Sequence, residues 1–213
     1  VSVPAEGATY ARGQVVRTAF GCTDVGGSTL QTCGDEHPGT PLDTSVPGQH
    51  TYTVEATDGA GNLTTVERHY TVGPAVHRPD ASVQRPDGSW LGVRDYGPLP
   101  DQTATWRTRR GGTTTIRFAI TNRGTTAERF TAEGTAGNGR IRAVYRYDGR
   151  DVTRRVVAGT WRTPSTTPGQ RRVLVLEVRV KPSAPVGLER RFTVRSGAAG
   201  GAADRSAARI RVR

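Results

Sequence analysis

Apolar and polar positions alternate along most of this chain, and helical spacing is nearly absent. In residues 50–56, His50, Tyr52, Val54 and Ala56 share one face, with Thr51, Thr53 and Glu55 on the other. Residues 66–72 resume the alternation after Asp58-Gly59-Ala60-Gly61-Asn62, and two such runs around a Gly/Asn turn predict a β-hairpin. Residues 15–20 read as a further strand. Downstream, Ile116, Phe118 and Ile120 alternate with Thr115, Arg117 and Thr121. Ile141, Ala143, Tyr145 and Tyr147 alternate with Arg140, Arg142, Val144 and Arg146. The clearest strand runs over 172–181, with Leu174, Leu176, Val178 and Val180 inward. Residues 130–133, 192–195 and 208–212 complete the set. Short strands at about 8–12-residue spacing, joined by Gly, Pro and Asn turns, predict β-sandwich architecture.

Gly73-Pro74-Ala75-Val76-His77-Arg78-Pro79 has no periodicity and carries two prolines, which places a domain boundary there. The expected organisation is all-β, with two tandem Ig-like β-sandwiches at 1–75 and 76–213. Residues 80–112 are expected as long loops and 197–201 as a flexible one. Charge supports the division. Residues 1–75 hold three arginines against eight acids, and residues 76–213 hold twenty-seven basic residues against eleven acids, within an overall +11. Lys181 is the only lysine. Two readings of the arginine excess stand side by side: a GC-rich genome, and selection for a polyanionic partner that guanidinium groups bind in bidentate fashion.

Cys22 and Cys33, eleven positions apart around a Gly-rich turn, lack the spacing of a redox motif and are too few for a zinc site. They are expected to form a local disulfide, with a reduced pair as the rival; a disulfide implies an extracytoplasmic, secreted or cell-surface setting. No run of about 18 apolar residues exists to span a membrane as a helix. No apolar segment of a signal peptide opens the chain. The chain starts at Val1 and has no Met, so it is expected to be a processed product or part of a larger parent protein.

The first half resembles the bacterial immunoglobulin-like modules of secreted and wall-associated proteins, including the hyalin-repeat type. The resemblance rests on Gly7-Ala8-Thr9-Tyr10, Gly13-Gln14-Val15-Val16, Phe20-Gly21-Cys22-Thr23-Asp24 with Cys33, and the stretch from Pro47 through Val54 to Asn62. The second half is similar to the Ig-fold cell-adhesion-related and alpha-galactosidase-associated domains of bacterial secreted proteins. It carries Gly111-Gly112 before the 116–120 strand, Thr121-Asn122-Arg123-Gly124, Pro168-Gly169-Gln170, and Pro182-Ser183-Ala184-Pro185-Val186-Gly187 after the 173–180 strand. These resemblances imply spacer or adhesive units and bring no catalytic residues.

Candidate chemistry is sparse. His37, His50, His69 and His77 have no metal-ligand spacing, and no nucleophile or phosphate-loop motif occurs. No enzyme activity, cofactor or metal is expected. Arg107, Arg109 and Arg110, and Arg140, Arg142 and Arg146 on one strand face, are candidate contacts for polyanions. The expected partners are anionic cell-surface or wall polymers, or another surface protein; nucleic acid fits poorly with a disulfide-bearing extracellular module. Trp90, Tyr96 and Trp106, within 17 residues, are a candidate sugar-stacking platform. They support an alternative reading, a carbohydrate-binding accessory module of a secreted glycoside hydrolase.

Overall fold

Asp58 closes the first hairpin. Its Oδ1 accepts the backbone N–H groups of Ala60 (3.0 Å) and Asn62 (2.8 Å). Its Oδ2 accepts the Asn62 side-chain amide (2.8 Å) and the Ser28 hydroxyl (2.7 Å). Hydrogen bonds to the charged form, led by those from the Asn62 and Ser28 side chains, hold this carboxyl down at about 2. The joined strands, β3 (Gly48–Asp58) and β4 (Leu63–Gly73), pair antiparallel from Thr57↔Leu63 to Gly48↔Val72.

The computed structural model describes residues 1–213 and separates them into two units, Val1–Val76 and His77–Arg213. In the first, β1 (Ala8–Ala11) lies parallel to β4 and β2 (Leu30–Asp35) antiparallel to β3, in the order β1-β4-β3-β2. Tyr52, Val54, Tyr70 and Val72 face inward and meet Val16 and Leu42. The layer opposite this sheet is largely irregular. Residues 15–20, predicted as a strand, form no continuous pairing. Ala19 bridges only to Val3, and the Val16 carbonyl accepts the Leu42 N–H at 2.9 Å. Cys22 and Cys33 are disulfide-bonded, which pins this irregular segment to β2.

The second unit is a two-sheet sandwich. Its strands are β5 (Pro79–Gln84), β6 (Trp90–Leu91), β7 (Thr103–Thr108), β8 (Thr113–Asn122), β9 (Thr131–Gly134), β10 (Ile141–Tyr147), β11 (Arg150–Asp151), β12 (Trp161–Arg162), β13 (Arg171–Val180), β14 (Glu189–Gly197) and β15 (Ala203–Val212). One sheet runs β11-β10-β13-β8-β5-β6 and the other β12-β9-β14-β15-β7. A single helical turn, α1 (Thr153–Val157), supplies Val156 to the core. Leu174, Leu176, Val178 and Val180 from one sheet meet Phe192, Val194, Ala208 and Ile210 from the other. Packing is tight at Gly134, where a Cβ would stand 2.7 Å from Tyr145 Cζ and from Val156 Cγ1.

One expectation is corrected here: residues 80–112 hold three strands, β5 to β7, with residues 92–102 as the connection between β6 and β7. The connection expected at 197–201 lies between β14 and β15, which pair in register up to Gly197↔Ala203.

Candidate anion-binding face

Alternation along β14 and β15 sends Phe192, Val194, Ser206, Ala208 and Ile210 inward and leaves an arginine-rich outer face. Register then sets like charges opposite one another. Arg191 faces Arg209 and Arg195 faces Arg205 across the β14–β15 ladder, and Arg211 faces Arg107 across the parallel β15–β7 ladder. Cross-strand neighbours lie about 4.5–5.5 Å apart at Cα. The two β14–β15 pairs are four residues apart on each strand, or about 13 Å. Two acids share the face. Glu189 binds Arg211 at 2.5 Å and reaches Arg209 at 3.9 Å, and Glu133 stands opposite Arg195. The guanidinium groups of Arg107, Arg191, Arg195 and Arg205 have no side-chain hydrogen bond or ion pair. Like charges directly opposite are destabilising, so the Arg191–Arg209 and Arg195–Arg205 pairs cost the fold stability, while Glu189 offsets the charge of Arg211.

Beside the Arg195–Arg205 pair opens a concavity of about 280 Å³ lined by Tyr96, Gly97, Ala203 and Asp204 as well as the two arginines. Asp204 is 6% exposed, and its carboxylate accepts the Ala81 and Arg205 backbone N–H groups, each at 2.7 Å. Burial, with the charges of Asp80 and Asp95 adding to it, outweighs these donors and pushes the carboxyl up to about 6 from 3.8. Between those two values the folded unit holds more protons than the unfolded chain. Its stability therefore falls as pH rises through about 4 to 6 and is flat above, by up to about 2–3 kcal/mol from this group. Asp204→Asn is expected to remove that component. Urea unfolding of wild type and variant at about pH 4 and pH 7 checks it. Identical pH slopes in the two proteins would contradict it.

The arginines singled out from sequence do not form one patch. Arg107 joins the β14–β15 face, while Arg109 and Arg110 sit in the turn beyond β7. Arg142 and Arg146 lie on the outer face of the opposite sheet, where Arg142 faces Arg179 and Arg146 binds Glu177 at 3.0 Å. Arg140 precedes β10 and donates to the Ser183 carbonyl, so the expected three-arginine strand face is corrected to two. The face also holds Arg191, Arg195, Arg205, Arg209 and Arg211, which lie outside the two arginine groups expected from the sequence. Their signal was even spacing within each strand: 191 and 195, then 205, 209 and 211.

The aromatic platform is also corrected. Trp106 is 8% exposed and faces the core from β7, so it has no ring face to offer a sugar. Trp90 stands on β6 in the other sheet, with the Arg171 guanidinium 4.8 Å from its ring centroid. Tyr96 is half-exposed, with Arg78 stacked 4.1 Å from its centroid. Register and burial thus separate the three rings. No group of three His, Cys, Asp or Glu side chains is placed to hold a metal ion. His69 contacts Glu6 at 3.2 Å, His77 contacts Glu128 at 3.1 Å, and His50 stacks on Tyr70 at 5.2 Å.

No known protein family matches the chain, and no curated relative does. Among solved structures it is similar to fibronectin(III)-like modules of Clostridium thermocellum CbhA, at 10% identity and a TM-score of 0.29, covering 99% of this chain and 92% of that one. It is similar to domains 4 and 5 of the S-layer protein SbsC, at 12% identity and a TM-score of 0.36, covering 85% and 69%. A likeness to the SrpA adhesin of Streptococcus sanguinis has 13% identity and a TM-score of 0.35, covering 65% and 60%. The chain spans only 30% of the Vibrio cholerae VesB protease and 27% of a Clostridium perfringens family 123 glycoside hydrolase, which it also resembles at TM-scores of 0.33 and 0.39.

Proposed function

We propose that this chain is a non-catalytic, extracellular bacterial Ig-like module whose second unit attaches to anionic cell-wall or surface polymers. The observation that carries this reading is the outer face of β14, β15 and β7, where Arg191 faces Arg209 and Arg195 faces Arg205 at a cost to stability, with Arg107 beside them and Glu189 offsetting Arg211. A bias toward arginine codons would put arginine in place of lysine; it gives no reason for two opposed pairs to succeed one another along one ladder, where the other sheet has Arg142 facing Arg179. The disulfide supports an extracytoplasmic setting. The strongly shifted groups serve structure: Tyr145 is a core ring raised by burial, and Tyr52, pushed up to about 12 chiefly by burial, donates to Asp35 at 2.6 Å. With Trp106 in the core, the carbohydrate-module alternative loses its platform.

Attachment through surface charge is screened by salt, because the Debye length shrinks from about 10 Å at 0.1 M to about 3 Å at 1 M. The protein is expected to co-sediment with insoluble bacterial cell walls at low ionic strength and to be released at about 1 M salt. Absence of binding at low salt, or binding that resists high salt, would overturn the reading.

A further inference from the structure

The first unit has an open sheet edge, which stands apart from attachment through β14, β15 and β7. In the order β1-β4-β3-β2, β2 pairs with β3 on one side and with no strand on the other. Leu30 to Cys33 are exposed, and no backbone hydrogen bond from outside the sheet reaches residues 30–35. Such an edge is a template for another strand, and native proteins commonly blunt it with lysine, proline or a bulge. β2 has neither Lys nor Pro. Its irregularity falls between Leu30 and Thr32, which leaves residues 32–35 in regular register with residues 54–57 of β3. Acids flank this stretch on both faces of the sheet. On the inner side, a concavity of about 430 Å³ is lined by Asp35, Glu36 and Asp43 beside the Tyr52 and Tyr70 rings. Tyr52 donates to Asp35 Oδ2 at 2.6 Å, whereas Asp35 Oδ1 is shielded from solvent and has no hydrogen-bond partner. A shielded acceptor without a donor is uncommon in native structures. On the outer side, a concavity of about 510 Å³ is lined by Glu36 and Glu55 with Thr32 and Thr53. Gly34 faces Glu55 there and places no side chain between them. No lysine or arginine lines either concavity, and no ion pair takes up Glu36 or Glu55.

We propose that the free edge of β2 is a strand-addition site for an extended, basic segment of a partner protein. Main-chain hydrogen bonds to residues 32–35 supply the affinity in this mode, and pockets for alternate side chains supply the specificity. Side chains of an added strand point to opposite faces in turn, so basic ones reach both concavities. Charge selects the partner. A basic side chain meets acids that have no cation of their own, and an ammonium group brings the donor that Asp35 Oδ1 lacks. An apolar strand would cover the same acids without pairing them, at a cost in desolvation.

The test measures binding of the whole chain to three hexapeptides at one low ionic strength. One alternates threonine and lysine, one alternates threonine and glutamate, and the third is the lysine peptide with its threonine amides N-methylated and its charge unchanged. The lysine peptide is expected to bind, and the N-methylated one at least about tenfold more weakly, because it cannot donate to a sheet edge. The glutamate peptide is expected not to bind to the β2 edge, so any binding it shows is unchanged in E36Q/E55Q. That variant is expected to weaken the lysine peptide by about three- to tenfold. Absence of binding by the lysine peptide, or equal affinity of its N-methylated form, overturns strand addition. Unchanged affinity for the lysine peptide in E36Q/E55Q overturns the choice of a basic partner. Dimers of the protein alone that E36Q/E55Q abolishes would put a second copy in place of the partner segment and overturn the proposal as stated. Each of these failures leaves attachment through the arginine face standing.

Discussion

The variant R191Q/R195Q/R205Q/R209Q is expected to lose polyanion binding by roughly a hundredfold or more while gaining stability. The two effects share one cause. Each opposed pair sets two arginines at directly opposite ladder positions, and relieving one such pairing is worth about 0.2–1 kcal/mol. Glutamine keeps most of the side-chain length, so the sheet surface stays covered. Glu189 retains its contact with Arg211. The predicted gain is about 0.5–2 kcal/mol at low salt and vanishes at high salt, where the repulsion is screened. Thermal unfolding at two ionic strengths, beside a binding isotherm, measures both. A variant that is destabilised at low salt would show that the arginines hold the sheet together and were not placed at its expense.

Removing the disulfide, as Cys22→Ala with Cys33→Ala, is expected to lower the stability of the first unit by roughly 2–3 kcal/mol. The bond closes a short loop, so its effect lies mainly in limiting the unfolded chain. It matters here because the unit has little else. Six residues, Val16, Leu42, Tyr52, Val54, Tyr70 and Val72, form its buried core, against twenty-three in the second unit. The segment it anchors has no continuous strand pairing. For a domain of this size the loss corresponds to roughly 10–20 °C in Tm. Calorimetry should show the transition of the first unit moving down while that of the second stays in place. Polyanion binding should be unchanged, and its loss in a protein whose second unit is folded would place the binding surface on the wrong unit.

Where one face of a strand is dry and the other wet, the sequence was enough. In β13, Leu174, Leu176, Val178 and Val180 alternate with Arg179, Glu177 and Val175, and the strand is plain. In β5 it was not. Asp80 and Ser82 lie on the outer face, yet both are 1% exposed, so neither face shows a solvent signal. Asp80 is held there by Arg123 Nε at 2.9 Å and the Arg94 backbone N–H at 3.0 Å, partners 43 and 14 positions away. In β7 the alternation was present, with Ala104 and Trp106 inward and Thr105 and Arg107 outward, but it sat among polar residues. The arginine face was half legible. Spacing within β14 and within β15 could place their arginines on one side of each strand. That Arg191 meets Arg209 and Arg195 meets Arg205 depends on ladder register, which is fixed by a turn rich in Gly and Ala.

The most direct test of attachment through this face compares two variants with equal charge removed. One is R191Q/R195Q/R205Q/R209Q on β14 and β15. The other is R117Q/R142Q/R146Q/R179Q on β8, β10 and β13, in the opposite sheet. Both lower the net charge of +11 by the same amount, and both are followed by co-sedimentation with insoluble cell walls at low salt. The first is predicted to remain in the supernatant and the second to sediment like wild type. Equal losses in the two variants would contradict a localised site and leave only the total charge of the protein at work.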